Sequence, residues 1–188
     1  RHEQSTGLIY ARNEGAAEAK GDIVFSIDDD AEFSTAEVVS QTMSDFCDPT
    51  IGAVAIPYMD VNKDDVLRQK SPDDAVWLTD RFIGTAHALR RELFLKLEGY
   101  RTELFHQGEE RDYCIRMLDA GYHVRLGTAD MIYHYESPRR STARMDFYGR
   151  RNDILFVAFN VPLLKVPVFL AGTTWNGLRY GLRVGSFR

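Results

Sequence analysis

The sequence predicts an α/β fold in which helices flank an open sheet, and two observations support this prediction. The first is residues 23–27, where four of five residues are apolar, between a Lys-Gly-Asp turn and three consecutive aspartates. Such a run is typical of a central strand buried on both faces. The second is that helical periodicity alternates with short apolar runs along the chain. Because open α/β sheets bind ligands at the carboxyl ends of their strands, the aspartates mark a candidate site.

Helix and strand signals alternate up to the C-terminal tail. Ser34 and Glu37 have capping-box spacing, and Val39 and Met43 recur as a buried helix face would. Residues 58–72 are expected to form an irregular surface loop. The predicted helices are 6–20, 34–47, 90–97 and 110–120, the predicted strands are 23–27, 51–56, 124–126 and 131–134, and a helical tail starts at Ser141 with breaks at Pro162 and Pro167.

The composition is that of one globular domain. The chain has 188 residues, of which 44% are apolar, which is enough for a sizeable core. Its net charge of −5 argues against a nucleic-acid partner, which would require broad positive potential. Cys47 and Cys114 have neither zinc nor disulfide spacing, so we expect two buried thiols on helices. A reducing, cytoplasmic location fits them.

The longest apolar region, residues 154–175, is interrupted by Asn160, Pro162, Lys165 and Pro167. A helix that spans a bilayer needs about 20 predominantly apolar residues, so we predict no transmembrane segment. We expect only a peripheral contact through this tail, at the inner face of a membrane. The chain opens at Arg1 without a signal peptide, and we interpret it as part of a longer protein.

The aspartates at 28–30 predict a divalent-cation site. Three adjacent carboxylates cannot continue a buried strand, because unpaired buried charges are costly, and clustered carboxylates at a strand end favour a cation that serves a phosphate. A solvated turn that caps the next helix is an equal alternative. An EF-hand loop is excluded, because Phe33 and Val39 stand where it needs Gly and Glu, and Glu32 excludes an Asp-x-Asp-x-Thr phosphatase.

A second acidic cluster, Glu109, Glu110 and Asp112, opens a predicted helix. Acids in a first turn complement the helix dipole, and Asp112 can pair with Arg116 one turn on, so a purely structural role is an open alternative. The functional interpretation is that one cluster holds a cation while the other supplies a general base. His134 ends a predicted strand and could complete the metal shell, although a lone histidine is more often structural.

The segment from Ile83 to His87 is rich in small residues. Glycine and alanine there would let a substrate approach the backbone closely. A tight turn selected only for packing is an equally good interpretation.

Six motifs, taken in order, carry a resemblance to a known family. They are 11–15 (ARNEG), 21–30 (GDIVFSIDDD), 82–86 (FIGTA) with Arg90-Arg91 and Gly99-Tyr100 after it, 108–116 (GEERDYCIR) with 120–122 (AGY) after it, 132–134 (IYH) and 148–152 (YGRRN). Together they resemble the C-terminal two-thirds of the catalytic domain of glycosyltransferase family 2, over about residues 7–160. One departure is that the family's usual Glu-Asp pair is Glu109-Glu110 here.

The resemblance implies a GT-A, Rossmann-like mixed sheet flanked by helices, without the family's opening β-α-β units. Residues 1–140 would be the partial catalytic domain, and residues 141–188 a helical extension that packs on it. The implied reaction is metal-dependent, inverting transfer of a sugar from a nucleotide-diphosphate donor. The acceptor hydroxyl could be on a saccharide, a lipid-linked molecule or another compound, as in polysaccharide biosynthesis.

The resemblance also implies roles for individual residues. Glu110 would be the general base, and Mg²⁺ or Mn²⁺ would be held by Asp30, Asp28 and His134. The donor would be contacted by Asp28, Asp29, Arg12 and Arg151, with Arg150 an equal alternative to Arg151. The acceptor would be contacted by Gly84, Thr85, Ala86, His87, Glu109 and Asp112.

Two other classes of function fit the same residues. A nucleotidyltransferase would share the sheet and the metal carboxylates but would not need a base at Glu110. A non-catalytic module that binds a nucleotide or a metal is the second. The sequence does not identify the sugar, the nucleotide or the acceptor.

Overall fold

The computed structural model describes residues 6–137 and 142–185, which form six α-helices, nine strands and two 3-10 turns. In chain order the elements are α1 (Leu8–Glu18), β1 (Ile23–Ile27), β2 (Ala31–Phe33), α2 (Val38–Asp45), β3 (Ile51–Ala55), β4 (Tyr58–Asp60), β5 (Leu67–Arg68), β6 (Leu78–Thr79), β7 (Ala86–Arg90), α3 (Arg91–Lys96), a 3-10 turn (Thr102–Leu104), α4 (Glu109–Asp119), β8 (His123–Leu126), β9 (Ile132–His134), α5 (Thr142–Asn160), a second 3-10 turn (Leu163–Lys165) and α6 (Val166–Val184).

The strands form two mixed sheets, which confirms the predicted α/β class. The larger sheet has the order β1-β7-β3-β8-β6, and the smaller has the order β2-β9-β4-β5. Parallel pairing joins β3 to β8 and β4 to β9, whereas the other pairs are antiparallel. The parallel pairing of β4 with β9 places the ends of these strands side by side, and the antiparallel pairing of β2 with β9 brings them next to the turn that follows β1.

Strand β1 lies at an edge of the larger sheet and is half-buried, so the prediction of a central strand buried on both faces was wrong for the described residues. It pairs with β7, with Ile27 opposite Ala86. The fully buried strand is β3. A short apolar run reports that a strand is present, but its position in the sheet depends on which neighbours pair with it.

The predicted loop at 58–72 contains two strands, β4 and β5. Strands of three and two residues are too short to show a period in the sequence. The correction matters because the register of β4 against β9 places Asp60 opposite His134.

Helix α2 begins at Val38 with Glu37 as its N-cap, and within the described part of the chain this residue makes no side-chain capping hydrogen bond, so the predicted capping box does not form. Thr35 instead donates a hydrogen bond to Asp130 over 2.8 Å. The predicted inner-face residues Val39 and Met43 are exposed, while Val38, Thr42 and Asp45 are buried. The buried face is therefore offset by one residue from the predicted face.

The two cysteines differ. Cys114 is buried on α4, as predicted, but Cys47 is exposed and follows α2. The Cys47 sulfur accepts a hydrogen bond from Arg125 over 3.1 Å. The prediction of a buried helical thiol at this position was therefore wrong.

The core below the larger sheet is built by the helices that carry the candidate site. Helix α4 contributes Tyr113, Cys114 and Met117, all fully buried as its predicted inner face requires. Tyr113 packs against Phe94 of α3, with ring centroids 5.0 Å apart. Packing of this kind fixes the position of the first turn of α4, where the acidic cluster lies.

The tail folds as α5 and α6, which pack against each other. Tyr180 donates a hydrogen bond to Asp146 over 2.9 Å, and Arg111 of α4 pairs with Asp153 over 3.0 Å. The predicted domain boundary at 140/141 lies outside the described residues. Among the helices that the structure describes, none combines the length and apolar character needed to cross a membrane.

Candidate active site

A cleft of about 470 Å³ lies where the turn after β1, the end of β9 and the start of α4 meet. Residues that lie far apart in the sequence line it together. The lining includes Arg12, Asp28, Asp60, Gly84, Glu109, Glu110 and His134. Glu110 and His134 line this cleft together with Asp28, the first of the three aspartates that follow β1.

The three predicted metal ligands, Asp28, Asp30 and His134, form one group. The Nε2 atom of His134 lies 3.3 Å from Oδ1 of Asp30 and 3.8 Å from Oδ2 of Asp28. Ligand atoms of the three residues all fall within 4.8 Å of one another. Antiparallel pairing of β2 with β9 places Ala31 opposite His134, and this register produces the group. Two carboxylates and an imidazole are a donor set that suits a divalent cation such as Mn²⁺.

Asp60 supports this group and was missed by the sequence analysis. Its Oδ2 lies 3.1 Å from Nδ1 of His134, and both side chains are buried. A buried carboxylate at this distance accepts a hydrogen bond from Nδ1–H, which leaves the Nε2 lone pair free to bind a metal. Asp60 lies in the segment that was predicted to be a loop, so no sequence signal distinguished it.

Asp29, by contrast, is exposed in the turn between β1 and β2 and does not line the cleft. The geometry therefore gives no support to its predicted contact with the donor.

Arg12 links the metal group to the acidic helix start. Its Nη2 atom donates to Oδ1 of Asp28 over 2.7 Å and to the carbonyl of Gly84 over 3.0 Å. Its Nη1 atom lies 3.6 Å from Glu109 and 3.7 Å from Glu110, and it is buried without a hydrogen bond to any residue that the structure describes. One guanidinium thus balances carboxylates from both clusters.

Glu109 and Glu110 occupy the first turn of α4 in different surroundings. Glu109 is almost fully buried, and its Oε2 atom has no hydrogen-bond partner among the described residues. The Glu110 side chain keeps 20% of its surface exposed and lies over Gly84. A Cβ atom at Gly84 would come within 2.1 Å of Oε1 of Glu110, so any larger residue at this position would displace the carboxylate.

The electrostatics of this pair favour the protonated forms. Burial, followed by repulsion from Glu109, raises the pKa of Glu110 to about 8, against the opposing effect of Arg12. Burial also raises the pKa of Glu109, and Arg12 again opposes it. Two desolvated carboxyls beside one guanidinium do not both ionise readily near neutral pH.

Two predicted acceptor residues are core residues instead. Ala86 and His87 lie in β7 and are fully buried. His87 stacks on Phe82 with ring centroids 4.1 Å apart, and its Nε2 atom lies 2.9 Å from the Tyr100 hydroxyl. Burial and the Arg12 charge lower the pKa of His87 to about 3, so this ring is neutral.

Asp112 is also unavailable to an acceptor. It is fully buried and bound by Arg101 over 2.6 Å, by Arg116 over 3.0 Å and by Asn160 over 2.8 Å. Asp112 therefore has the structural role that was predicted as the alternative, an ion pair with Arg116 one helical turn on. Of the predicted acceptor residues, Gly84, Thr85 and Glu109 line the cleft.

Arg151 does not face the cleft. Its guanidinium donates to the carbonyl of Glu103 over 2.9 Å and to the side chain of Asn152 over 2.7 Å. Its neighbour Arg150 lies over the ring of Tyr180 instead. The predicted contact of Arg151 with a diphosphate is not supported, because the 3-10 turn at Thr102–Leu104 already engages the side chain.

Asn152 is a second residue that the sequence analysis did not assign to the site. Its buried amide donates to the carbonyls of Leu104, His106 and Gln107 over 2.8, 2.8 and 2.6 Å. These carbonyls belong to the loop that leads into Glu109, where Gln107 has φ 72° and Gly108 has φ 86°. Such left-handed backbone is costly for a residue other than glycine, so the amide holds a strained loop in place.

The comparisons with known proteins agree with this geometry. Residues 1–106 match the family model described as glycosyl transferase family 2. The pre-mycofactocin glycosyltransferases of two Mycobacterium tuberculosis strains, CDC 1551 / Oshkosh and ATCC 25618 / H37Rv, are each 28% identical over 163 residues. The match covers 79% of this chain and 34% of each relative, so the chain spans about a third of their length.

Two solved structures share the fold. The mannosyltransferase PcManGT from Pyrobaculum calidifontis, in complex with GDP-Man and Mn²⁺, has a TM-score of 0.61 and 22% identity, covering 91% of this chain and 50% of its own. GalNAc-T7, with UDP, GalNAc and Mn²⁺, has a TM-score of 0.60 and 16% identity, covering 93% and 42%. The family match covers more than half of the sequence, and the fold is that of GT-A enzymes. The chain belongs to glycosyltransferase family 2.

Proposed function

We propose that this chain carries the catalytic site of an inverting glycosyltransferase that moves a sugar from a nucleotide-diphosphate donor to an acceptor hydroxyl. One observation carries the proposal: Asp28 and His134, which form the cation group with Asp30, line the same cleft as Glu110. Inverting transfer needs these two functions together, because the leaving diphosphate gains negative charge while the acceptor hydroxyl loses a proton.

The donor end would be organised by the metal group. Asp28, Asp30 and His134 would hold Mg²⁺ or Mn²⁺, and Asp60 would keep the His134 ring in the orientation that binding requires. A divalent cation supplies a positive charge that stabilises the departing diphosphate. Two structures of the same fold contain Mn²⁺ together with a nucleotide or nucleotide sugar, which supports this choice of cofactor.

Glu110 would act as the general base. Its carboxylate would take the proton of the acceptor hydroxyl as that oxygen attacks the anomeric carbon. The bond between this carbon and the diphosphate oxygen would break on the opposite face, which gives inversion. The raised pKa of about 8 supports the role, because a base is most effective when its pKa lies near the working pH.

The acceptor would approach along Gly84 and Thr85. The backbone at Gly84 carries no side chain, and Glu110 lies directly above it. A hydroxyl that enters over this segment would therefore meet the Glu110 carboxylate. The Oε2 atom of Glu109 has no hydrogen-bond partner in the described part of the chain. The charge of this carboxyl would help to keep the pKa of the neighbouring Glu110 raised.

The experiment is a comparison of donor binding and turnover in the full-length protein and its Glu110→Gln variant. We expect both proteins to bind a nucleotide sugar in a Mn²⁺-dependent manner. Only the unmodified protein should transfer the sugar. Normal transfer by Glu110→Gln with nucleotidyl products would indicate a nucleotidyltransferase. Nucleotide binding without any transfer by the unmodified enzyme, across a panel of hydroxyl acceptors, would indicate a binding module.

A further inference from the structure

We propose that the C-terminal helices dock on an anionic lipid surface through a patch of exposed apolar side chains beside a row of cations. This patch, the tail patch, consists of Leu163, Leu164, Val168, Trp175, Leu178 and Leu182. It lies outside the cleft and goes beyond the proposed reaction.

The patch begins at the corner between α5 and α6. Leu163 and Leu164 form the 3-10 turn there and are 84% and 95% exposed. Two adjacent leucines in water at a helix corner gain nothing for the fold, because they bury almost no surface. Large contiguous apolar surfaces of this kind mark sites of association.

Helix α6 continues the patch along one face. Val168, Trp175 and Leu182 follow one another at seven-residue spacing, with Leu178 between them, so they form one stripe on the helix. Trp175 is 60% exposed and Leu182 is 69% exposed. The opposite face, which includes Gly177 and Tyr180, packs on α5. The helix is therefore packed on one side and apolar on the free side.

Cations line one edge of this stripe. Arg179 and Arg183 are one turn apart and exposed, and Lys165 falls in the same row at the start of the helix. Residues 154–188 contain no Asp or Glu and have a formal charge of +4, whereas residues 1–153 have −9. An apolar face with Trp and Leu, beside Arg and Lys, is the pattern of a helix that lies in a membrane interface.

The charge distribution decides between possible occupants. A second copy of this chain would bring another positively charged tail patch, and the two basic rows would repel each other in a symmetric contact. An anionic bilayer attracts the basic row, and each cation near such a surface contributes about 1 kcal/mol, or roughly fivefold in binding. The acidic remainder of the chain would be repelled, which orients the molecule with α6 toward the lipid.

The test is flotation of the full-length protein with vesicles of phosphatidylcholine alone and of phosphatidylcholine with phosphatidylglycerol. We expect binding to the anionic vesicles that weakens as salt is raised. Leu163→Ser with Leu164→Ser should weaken it by roughly tenfold or more, from the lost apolar burial. The matched control is Val66→Ser with Val76→Ser, two exposed apolar residues outside the tail, which should bind as the unmodified protein does.

A second measurement reports contact directly. In the 188-residue chain that carries Trp77→Phe, Trp175 is the remaining tryptophan, and brominated lipid should quench its emission. Failure to bind anionic vesicles, equal binding by the Leu163→Ser, Leu164→Ser variant, or unquenched Trp175 would each overturn the proposal. Concentration-dependent dimerisation that the same double variant abolishes would also overturn it, because the occupant would then be a second copy.

Discussion

The Glu110 carboxylate lies on Gly84 so closely that a methyl group at Gly84 would come within 2.1 Å of Oε1. The same methyl group would lie 2.8 Å from Nη1 of Arg12. Because position 84 has no side chain, the Glu110 carboxylate and the Arg12 guanidinium can both occupy the space above its backbone.

Gly84→Ala should lower turnover by about 10²-fold or more, because a displacement of about 1 Å at a reacting group has that effect. The fold should survive, since the Glu110 side chain can move toward solvent. The measurement is steady-state sugar transfer with donor titration. Gly15→Ala is the matched control, because nothing lies within 4 Å of its new methyl group. Equal loss of activity in both variants would contradict the argument.

Glu110→Gln should lower turnover by roughly 10²–10⁴-fold while donor affinity stays near normal, because only proton transfer is lost.

Asp112→Asn serves as the comparison for Glu110→Gln. Removing the charge between Arg101 and Arg116 should destabilise the fold, at the low end of the roughly 3–5 kcal/mol found for broken buried pairs, because both arginines keep some solvent contact. If Asp112→Asn loses turnover without losing stability, the base has been assigned to the wrong carboxylate.

Loss of the metal ligand Asp30 should reduce Mn²⁺ binding more than loss of Asp60, which only orients the ligand His134. Asp30→Ala should abolish Mn²⁺ binding and metal-dependent donor binding with little effect on unfolding, since this side chain is 40% exposed. Asp60→Asn should weaken Mn²⁺ binding by about 10–100-fold, because His134 loses the acceptor that orients it. Calorimetric titration of the metal-free protein measures both. Nucleotide-sugar binding that ignores both EDTA and Asp30→Ala would remove the metal from the mechanism.

The raised pKa of Glu110 predicts how stability depends on pH. Between the unfolded value of 4.5 and the folded value of about 8, the folded state holds a proton that the unfolded state has released. The contribution is therefore fully present below pH 4.5 and is lost as pH rises through about 8. Thermal unfolding in EDTA should show this decline, and Glu110→Gln should flatten it. A Glu110→Gln curve with an unchanged slope would show that the carboxyl is ionised throughout.

Asn152→Ala should affect both stability and catalysis. Its amide satisfies three backbone carbonyls of the loop that precedes Glu109, and their loss should cost about 1–3 kcal/mol. Turnover should fall as well, because the strained loop sets the start of α4. Asn160→Ala is the control, since its amide binds Asp112 and the Phe156 carbonyl instead. It should lower the unfolding temperature and spare turnover measured well below that temperature.

Local sequence was sufficient for the elements that present the chemistry. The apolar run at β1 followed by three aspartates predicted a strand with carboxylates at its end, because buried charge is too costly to continue the strand. Helical periodicity predicted α4 from Glu110, one residue after its observed start at Glu109, and it predicted the buried residues Tyr113 and Met117. The order of the motifs then indicated the family.

Tertiary structure decided which of the polar residues can meet a ligand. Asp112 and His87 have the residue types of a site, yet packing buries both, and Arg151 is used by a neighbouring turn. Asp60 has no local signal and becomes part of the site only because β4 pairs with β9. Sequence periodicity reports the faces of one element at a time, whereas the pairing of residues 60 and 134 is fixed by long-range strand register, which depends on the whole packed sheet.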